Sequence, residues 1–247
     1  MSAKVWLVGA GPGDPELLTL KAVRALNEAD VVLIDDLVNT AVLEHCHNAR
    51  VIPVGKRGGC RSTPQAFIHR LMLRYARQGK CVARLKGGDP CIFGRGGEEA
   101  QWLRERGVEV ELVNGITAGL AGATQCDIPL TLRGVARGVT LVTAHTQDGS
   151  SLNWQALAQG GTTLVIYMGV AKLSEIREQL LAGGMAADMP VAMIENASLP
   201  QQRECRSELS RMYEDAQAFA LKSPAILVIG SVAANGQAAV IASAASA

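Results

Sequence analysis

Apolar residues along this chain fall into short runs separated by segments of helical spacing. Residues 4–10 (KVWLVGA) form one apolar run of strand length. Residues 15–29 (PELLTLKAVRALNEA) place Leu17, Leu18, Val23 and Leu26 at helical spacing, which predicts a helix. Further strands are predicted at 31–35 (VVLID), 49–55 (ARVIPVG), 81–87 (CVARLKG) and 108–115 (VEVELVNG). Residues 63–79 and 96–107 read as helices between them. Thr63 is the expected N-cap of the first, with Pro64 in its opening turn and Gly79 at its stop. The second has Glu98 and Glu99 in its first turn and Gly107 at its end. Strands alternating with helices in this way predict an α/β fold with a largely parallel sheet.

A second series follows. Residues 117–124 (TAGLAGAT) suggest a helix of small residues. Strands are expected at 138–145, 162–169, 189–197 and 224–230, with a more polar one near 203–210. Helices near 153–159 and 170–182 separate the first of these. The pattern predicts two α/β domains, 1–115 and 116–235, with mixed, largely parallel sheets and a patternless, frayed tail over 236–247. The expected site is a cleft between the two domains, beyond the carboxyl ends of strands.

Composition narrows the class. Of 247 residues, 48% are hydrophobic and 19% charged, as in a globular chain large enough to need no staple. The six cysteines (46, 60, 81, 91, 126 and 205) form no C-x-x-C pair, so no metal site is expected, and their scatter suits a reducing cytoplasm. The chain opens almost directly on a strand, so neither a signal peptide nor a preceding module is expected. No apolar run reaches the roughly 20 residues that span a bilayer, so no membrane partner is expected.

Two glycine-rich loops carry the chemistry. GAGPGDP (9–15) follows the first strand and resembles half of a dinucleotide fingerprint, with Asp35 about 20 residues on. Asp14, however, stands where the third glycine belongs, and its carboxylate would repel a pyrophosphate. Pro12 also removes an N–H from the cradle. NAD is therefore not expected, and a tight turn with an N-cap remains the plain alternative. KGGDPCIFGRGGEE (86–99) packs Gly87, Gly88, Gly94, Gly96 and Gly97 into eleven residues. That density costs much backbone entropy and points to a ligand-contacting loop.

The net charge of +1 hides a segregation. Residues 50–106 hold 13 basic and four acidic side chains, whereas the remainder holds 11 basic and 19 acidic. Arg70, Arg74 and Arg77 fit a solvated helix face. Lys56, Arg57, Arg61, Arg84, Lys86 and Arg95 lie near strand ends or glycine loops, where they would suit a substrate with several carboxylates or phosphates. Aromatics make up only 4%, so base stacking is poorly served and nucleic acid is not the expected polyanion.

In order along residues 8–198 occur V-G-A-G-P-G-D-P-E-L-L-T-L-K-A, V-G-K-R-G-G, R-L-K-G-G-D-P-x-I-F-G-R-G-G-E-E, N-G-I-T-A and P-V-A-M-I-E-N-A-S. This combination resembles the tetrapyrrole methylase family, and within it the branch that methylates uroporphyrinogen III. The resemblance implies two α/β domains, a homodimer and S-adenosylmethionine held between the domains. It implies methylation at C2 and C7 to give precorrin-2, which feeds sirohaem, cobalamin or haem d1 synthesis. Carried over by position, Pro12, Gly87, Gly88, Asp89, Ile92, Thr117, Ala118, Met168 and Ala197 would contact the methyl donor. Asp35 matches the family's proton acceptor and Lys56 its donor, while Arg95 and Glu98 match positions near the reacting tetrapyrrole. Arg57, Arg61, Arg84, Lys86 and Arg133 are the candidate substrate-binding cations.

Alternatives stand beside these roles. Asp35 also reads as a turn cap, Met168 as core and Lys56 as a solvated loop charge. Leu132 stands where relatives often carry His, Ile34 where Tyr is frequent and Cys91 where Phe is frequent. Rival functions are a family methylase acting on a later cobalamin precursor or on ribosomal RNA, a non-catalytic sensor of the methyl donor, and an NAD-dependent oxidoreductase opposed by Asp14.

Overall fold

A computed structural model describes residues 3–55, 63–145 and 151–235. The chain divides into two compact units, residues 1–117 and 118–247. In the first unit, β1 (Lys4–Gly9), β2 (Val31–Ile34), β3 (Arg50–Pro53), β4 (Val82–Lys86) and β5 (Glu109–Val113) form one sheet in the order β3-β2-β4-β1-β5. Every pairing in it is parallel. The helices are α1 (Leu20–Glu28), α2 (Gln65–Arg77) and α3 (Gly96–Arg104).

Strand alternation sends side chains to two cores. Trp6, Val8, Val32, Ile34, Ala83 and Leu85 pack with Ala22, Ala25 and Leu26 of α1. Val5, Leu7, Val31, Leu33 and Val82 pack with Ile68 and Met72 of α2 and Ala100 and Leu103 of α3. Both faces are covered, as a parallel sheet requires. The parity also places Arg84 and Lys86 on the α2–α3 face, in phase with Val82.

Two expected boundaries shift. The helix expected over 15–29 is a 3-10 turn at Pro15–Leu17 followed by α1. Two caps explain the break. Asp14 Oδ1 accepts from Glu16 N at 2.9 Å, and Thr19 Oγ1 accepts from Ala22 N at 3.1 Å. Each ends one segment and starts another within five residues. Thr63 does not cap α2. Its hydroxyl donates to Gly55 O at 3.1 Å, and the helix starts after Pro64 without a side-chain cap.

The second unit contains α4 (Ala118–Gln125), β6 (Val139–Thr143), α5 (Trp154–Gln159), β7 (Thr163–Tyr167), α6 (Leu173–Ala182), β8 (Pro190–Glu195), β9 (Arg203–Glu208), α7 (Met212–Phe219) and β10 (Ala225–Ile229). Its sheet order is β6-β7-β10-β8-β9. Only β6–β7 is parallel, and the other three pairings are antiparallel. The fold is α/β, but the expectation of a largely parallel sheet holds for the first unit and not for this one. The link from β8 to β9 is too short for a crossover and makes a hairpin. β10 then inserts between β7 and β8, opposite in direction to both. Helix α7, which periodicity did not indicate, buries Met212 and Ala216 against the α6 side of the sheet. The tail 236–247 lies outside the described residues. Among those described, no helix is long and apolar enough to cross a membrane.

An ion triad ties α1 to the edge strand β5. Glu111 Oε1 meets Lys21 Nζ at 2.5 Å, and its other oxygen meets Lys4 Nζ. Hydrogen bonds from Lys21 and Lys4 hold the Glu111 carboxyl down at about 2, against an ordinary value of 4.5. The folded state therefore favours the carboxylate. This contribution is present above about pH 4.5 and is lost as pH falls towards 2. Glu111→Gln should flatten that part of the acid-induced fall in the urea midpoint. An unchanged slope in the variant would show that the triad contributes nothing.

Candidate active site

The carboxyl ends of β4, β1 and β5 lie side by side, and the loops leaving them interlock. Ala10 N donates to Lys86 O at 2.8 Å, Gly88 N to Gly11 O at 2.7 Å, and Gly11 N to Gly88 O at 3.2 Å. Gly9 and Gly115 meet backbone to backbone. A Cβ on Gly9 would lie 2.5 Å from Gly115 N and 2.6 Å from Gly88 O. No side chain fits at this crossing, which is why glycine occupies both strand ends.

Asp89 binds the crossing together. It is buried, and its Oδ1 accepts from Cys91 N at 2.7 Å. Its Oδ2 accepts from Gly115 N at 3.0 Å and Asn114 Nδ2 at 3.4 Å. The Asp89 carboxylate is thus engaged within the protein itself, by two backbone N–H groups and the Asn114 side chain. Two of the five loop glycines also serve the chain itself. A Cβ on Gly94 or Gly96 would lie 2.7 or 2.5 Å from Pro90 O. Pro12, Gly87, Gly88 and Ile92 remain partly exposed, and Thr117 is buried.

Behind this crossing lies a cluster of charge. Arg84 and Lys86 are 2% and 5% exposed. The two were expected to face substrate, and instead they point inward between β4 and the α2–α3 layer. Arg84 Cα sits in register with Leu7 on one side and Leu33 on the other, so its guanidinium is enclosed by the core. Its Nη2 meets Asp35 Oδ1 at 2.6 Å, and its Nη1 reaches the carbonyls of Leu33 and Leu85 at 3.4 Å. Lys86 Nζ lies 3.2 Å from Glu99 Oε1 and 3.9 Å from Asp35 Oδ2. Burial, then the neighbouring Arg84 charge, lowers the Lys86 amine from its ordinary value, against Glu99 and Asp35. Asp35 does not act as a turn cap with these oxygens. It stands at the end of β2, part-exposed, with Arg84 at its back.

Arg95 and Glu98 form a separate, exposed pair. Arg95 Nη2 and Nε donate to Glu98 Oε2 at 2.6 and 3.0 Å. This bond raises the Arg95 guanidinium and lowers the Glu98 carboxyl. Arg95 has φ +60° at the N-cap of α3, and Phe93 nearby has φ +54°. Two non-glycine residues in the left-handed region within one loop mark backbone held against its local preference. His69 stacks on Trp102 with centroids 5.0 Å apart, and burial lowers its imidazole.

The second unit supplies its own irregular backbone at strand ends. Met168, directly after β7, has φ +56° and is 50% exposed, so it is not a core residue. Buried Ala197 sits between Asn196 (φ +52°) and Ser198 (φ +63°) after β8. The α4 helix packs closely beneath them. Gly119 N donates to Tyr167 Oη at 3.0 Å, and a Cβ on Gly122 would lie 3.0 Å from Ala197 Cβ. Gly119 and Gly122 of α4 permit this approach, and Ala118 at the start of the helix is partly exposed. Arg133 is exposed in the loop closed by Leu132 N to Ala136 O at 2.9 Å. Lys56, Arg57 and Arg61 lie outside the described residues.

Among the described residues, no three His, Cys, Asp or Glu side chains gather as metal ligands would. Two residues escaped the sequence reading. Glu99 is fully buried and Gln65 donates to it at 2.6 Å. The signal for Glu99 was available, because it shares the helical phase of Gly96, Ala100 and Leu103, the buried stripe of α3.

Two α/β units with glycine loops at strand ends are an architecture that many activities share, and comparison with known proteins gives the class. The chain belongs to the tetrapyrrole (corrin/porphyrin) methylases, whose family model matches residues 4–212. It is 81% identical to a uroporphyrinogen-III C-methyltransferase of Pseudomonas fluorescens over 100% of both chains. It is 74% identical to one of Pseudomonas aeruginosa, over 94% of this chain and 95% of that one. A crystal structure of uroporphyrin-III C-methyl transferase from Thermus thermophilus complexed with S-adenyl homocysteine superposes with a TM-score of 0.79. That protein is 43% identical, with 93% of this chain and 98% of that chain covered.

The loop crossing predicts a specific sensitivity. A Cβ on Gly115 would lie 2.8 Å from Gly9 Cα and overlap the Gly88 carbonyl. Backbone cannot give way as a side chain can. Gly115→Ala should cost about 1–3 kcal/mol in thermal or urea unfolding. A variant as stable as the parent would show that the crossing is looser than described.

Proposed function

We propose that this chain transfers methyl groups from S-adenosylmethionine to C2 and C7 of uroporphyrinogen III, giving precorrin-2. The supporting observation within the molecule is Asp35, a part-exposed carboxylate held from behind by buried Arg84 in the most basic segment of the chain. Relatives that share the whole chain length and bear this activity in their names support the same substrate.

The first glycine loop fits such a donor. Residues 9–20 hold no Lys or Arg, and Asp14 spends a carboxylate oxygen on Glu16 N at 2.9 Å. A carboxylate and Pro12 there disfavour a polyphosphate and suit a cationic, phosphate-free ligand. Pro12, Gly87, Gly88, Asp89, Ile92, Thr117, Ala118, Met168 and Ala197 are the residues that would contact it. Asp89 would do so through its backbone, since its carboxylate is engaged. When bound, S-adenosylmethionine supplies an electrophilic methyl group.

The chain's own residues then orient and deprotonate. The exposed Arg95 and Arg133, and with them Lys56, Arg57 and Arg61 of the basic segment, would engage the eight carboxylates of uroporphyrinogen III and fix the pyrrole carbon in line. Positioning of this kind supplies several kcal/mol of a barrier. As the methylated pyrrole relaxes, Asp35 accepts the proton, and Arg84 holds its carboxylate in place. Lys56 serves as proton donor, and Glu98 orients Arg95. Arg84 acts from beneath the site, through Asp35. The enzyme works as a cytoplasmic homodimer, and its product leads to sirohaem, cobalamin or haem d1.

Purified protein incubated anaerobically with S-adenosylmethionine and fresh uroporphyrinogen III should add two methyl increments to the tetrapyrrole mass. Methyl transfer only to a later corrinoid precursor would move the substrate and sink this assignment. Arg95→Ala should lower turnover about 10²-fold while S-adenosylhomocysteine binding is retained. Turnover at the parental rate would remove Arg95 from the reaction.

A further inference from the structure

Glu99 is a fully buried carboxylate on the apolar stripe of α3. At such a site a hydrophobic residue of similar volume is commonly as stable or more so. The charge therefore calls for an explanation beyond packing. Its surroundings supply one. Oε1 takes Gln65 Nε2 from α2 at 2.6 Å and Lys86 Nζ from β4 at 3.2 Å, and stands 3.6 Å from Arg84 Nε. Gln65 also meets His69 Nε2 at 3.2 Å, so His69 is the next titratable group along α2. Glu99 Oε2 and Arg84 Nε are left without hydrogen-bond partners.

Two buried cations, Arg84 and Lys86, thus face two carboxylates, Asp35 and Glu99. The partners are not shared evenly. Arg84 commits to Asp35 Oδ1 at 2.6 Å. Lys86 commits to Glu99 and stays 3.9 Å from Asp35 Oδ2, beyond hydrogen-bond range. The geometry points to Glu99 as a positioning residue that holds Lys86 away from Asp35 and so leaves Asp35 Oδ2 open to accept a proton. Without the Glu99 charge, Lys86 has one neighbouring carboxylate left to pair with, Asp35. It would swing onto Oδ2 and occupy the acceptor. This inference rests on the proposed role of Asp35.

Three variants test it, each checked for folding by thermal melt and for S-adenosylhomocysteine affinity. Glu99→Gln should lower kcat about tenfold, with KM for uroporphyrinogen III within about twofold of the parent. Adding Lys86→Met to Glu99→Gln removes the cation that would collapse, and should bring kcat back to within about threefold of the parent. A merely structural Glu99 predicts that the double variant regains thermal stability while kcat stays at the level of Glu99→Gln. Glu99→Gln at the parental rate, or a double variant no faster than the single, would overturn the inference. If Glu99→Gln does not fold, the neutral double variant decides alone. Recovery to within threefold supports the inference, and a loss of tenfold or more overturns it. Asp35→Asn separates the two levels. If Asp35→Asn turns over at the parental rate, the proposed role of Asp35 falls. If Asp35→Asn is slow and Glu99→Gln is not, only the role of Glu99 falls.

Discussion

Arg84 carries a full charge into the middle of a parallel sheet, and that charge has to be neutralised there. Its position between Leu7 and Leu33 leaves it no route to water. Removing one member of such a buried pair costs about 3–5 kcal/mol, because the other is left charged and unpaired. The arrangement around it follows from that constraint. Asp35 must end β2 at the right height, and α3 must present Glu99 rather than a leucine. α2 must bring Gln65 to the same spot. A polar network of this kind is costly when incomplete and specific when complete.

The glycine loops obey a different constraint, the close passage of three backbones at the ends of neighbouring strands. Gly9 and Gly115 leave no room for side chains against the Gly88 carbonyl, and Asp89 takes up the donors that the crossing exposes. The result is a surface made largely of peptide groups. The strain at Phe93 and Arg95 belongs to the same loop. It aims a guanidinium outward that the following helix alone would not aim.

The second unit reaches a similar end by other means. Its sheet is mostly antiparallel, yet irregular backbone again gathers where β7 and β8 finish. Met168 and the Asn196–Ser198 turn are held there by α4, whose small residues allow the helix to press on Tyr167 and Ala197. A larger residue at Gly119 would displace the Tyr167 hydroxyl from its backbone donor.

Much of this was legible in the residues themselves. Each strand of the first unit, and its helical spacers, follows from apolar runs and helical spacing, because periodicity reports which face of an element a residue occupies. The glycine loops and the basic segment were visible as composition. The sequence also contained the reason to reject a dinucleotide, in Asp14 and Pro12. What tertiary structure decided is pairing. Nothing in the local pattern tells β10 to insert between β7 and β8, since a strand's own alternation does not record its neighbour's direction. Nor does it reveal that Arg84 and Lys86 point inward. Cations near glycine loops look like ligand binders until the strand is placed at the sheet's interior and α3 brings Glu99 over it. Asp35, Arg84 and Glu99 come from a strand end, a strand and a helix, and their contact depends on how those elements stack. A chain's local preferences choose its elements. Which charge meets which is settled only when burial removes water as an alternative partner.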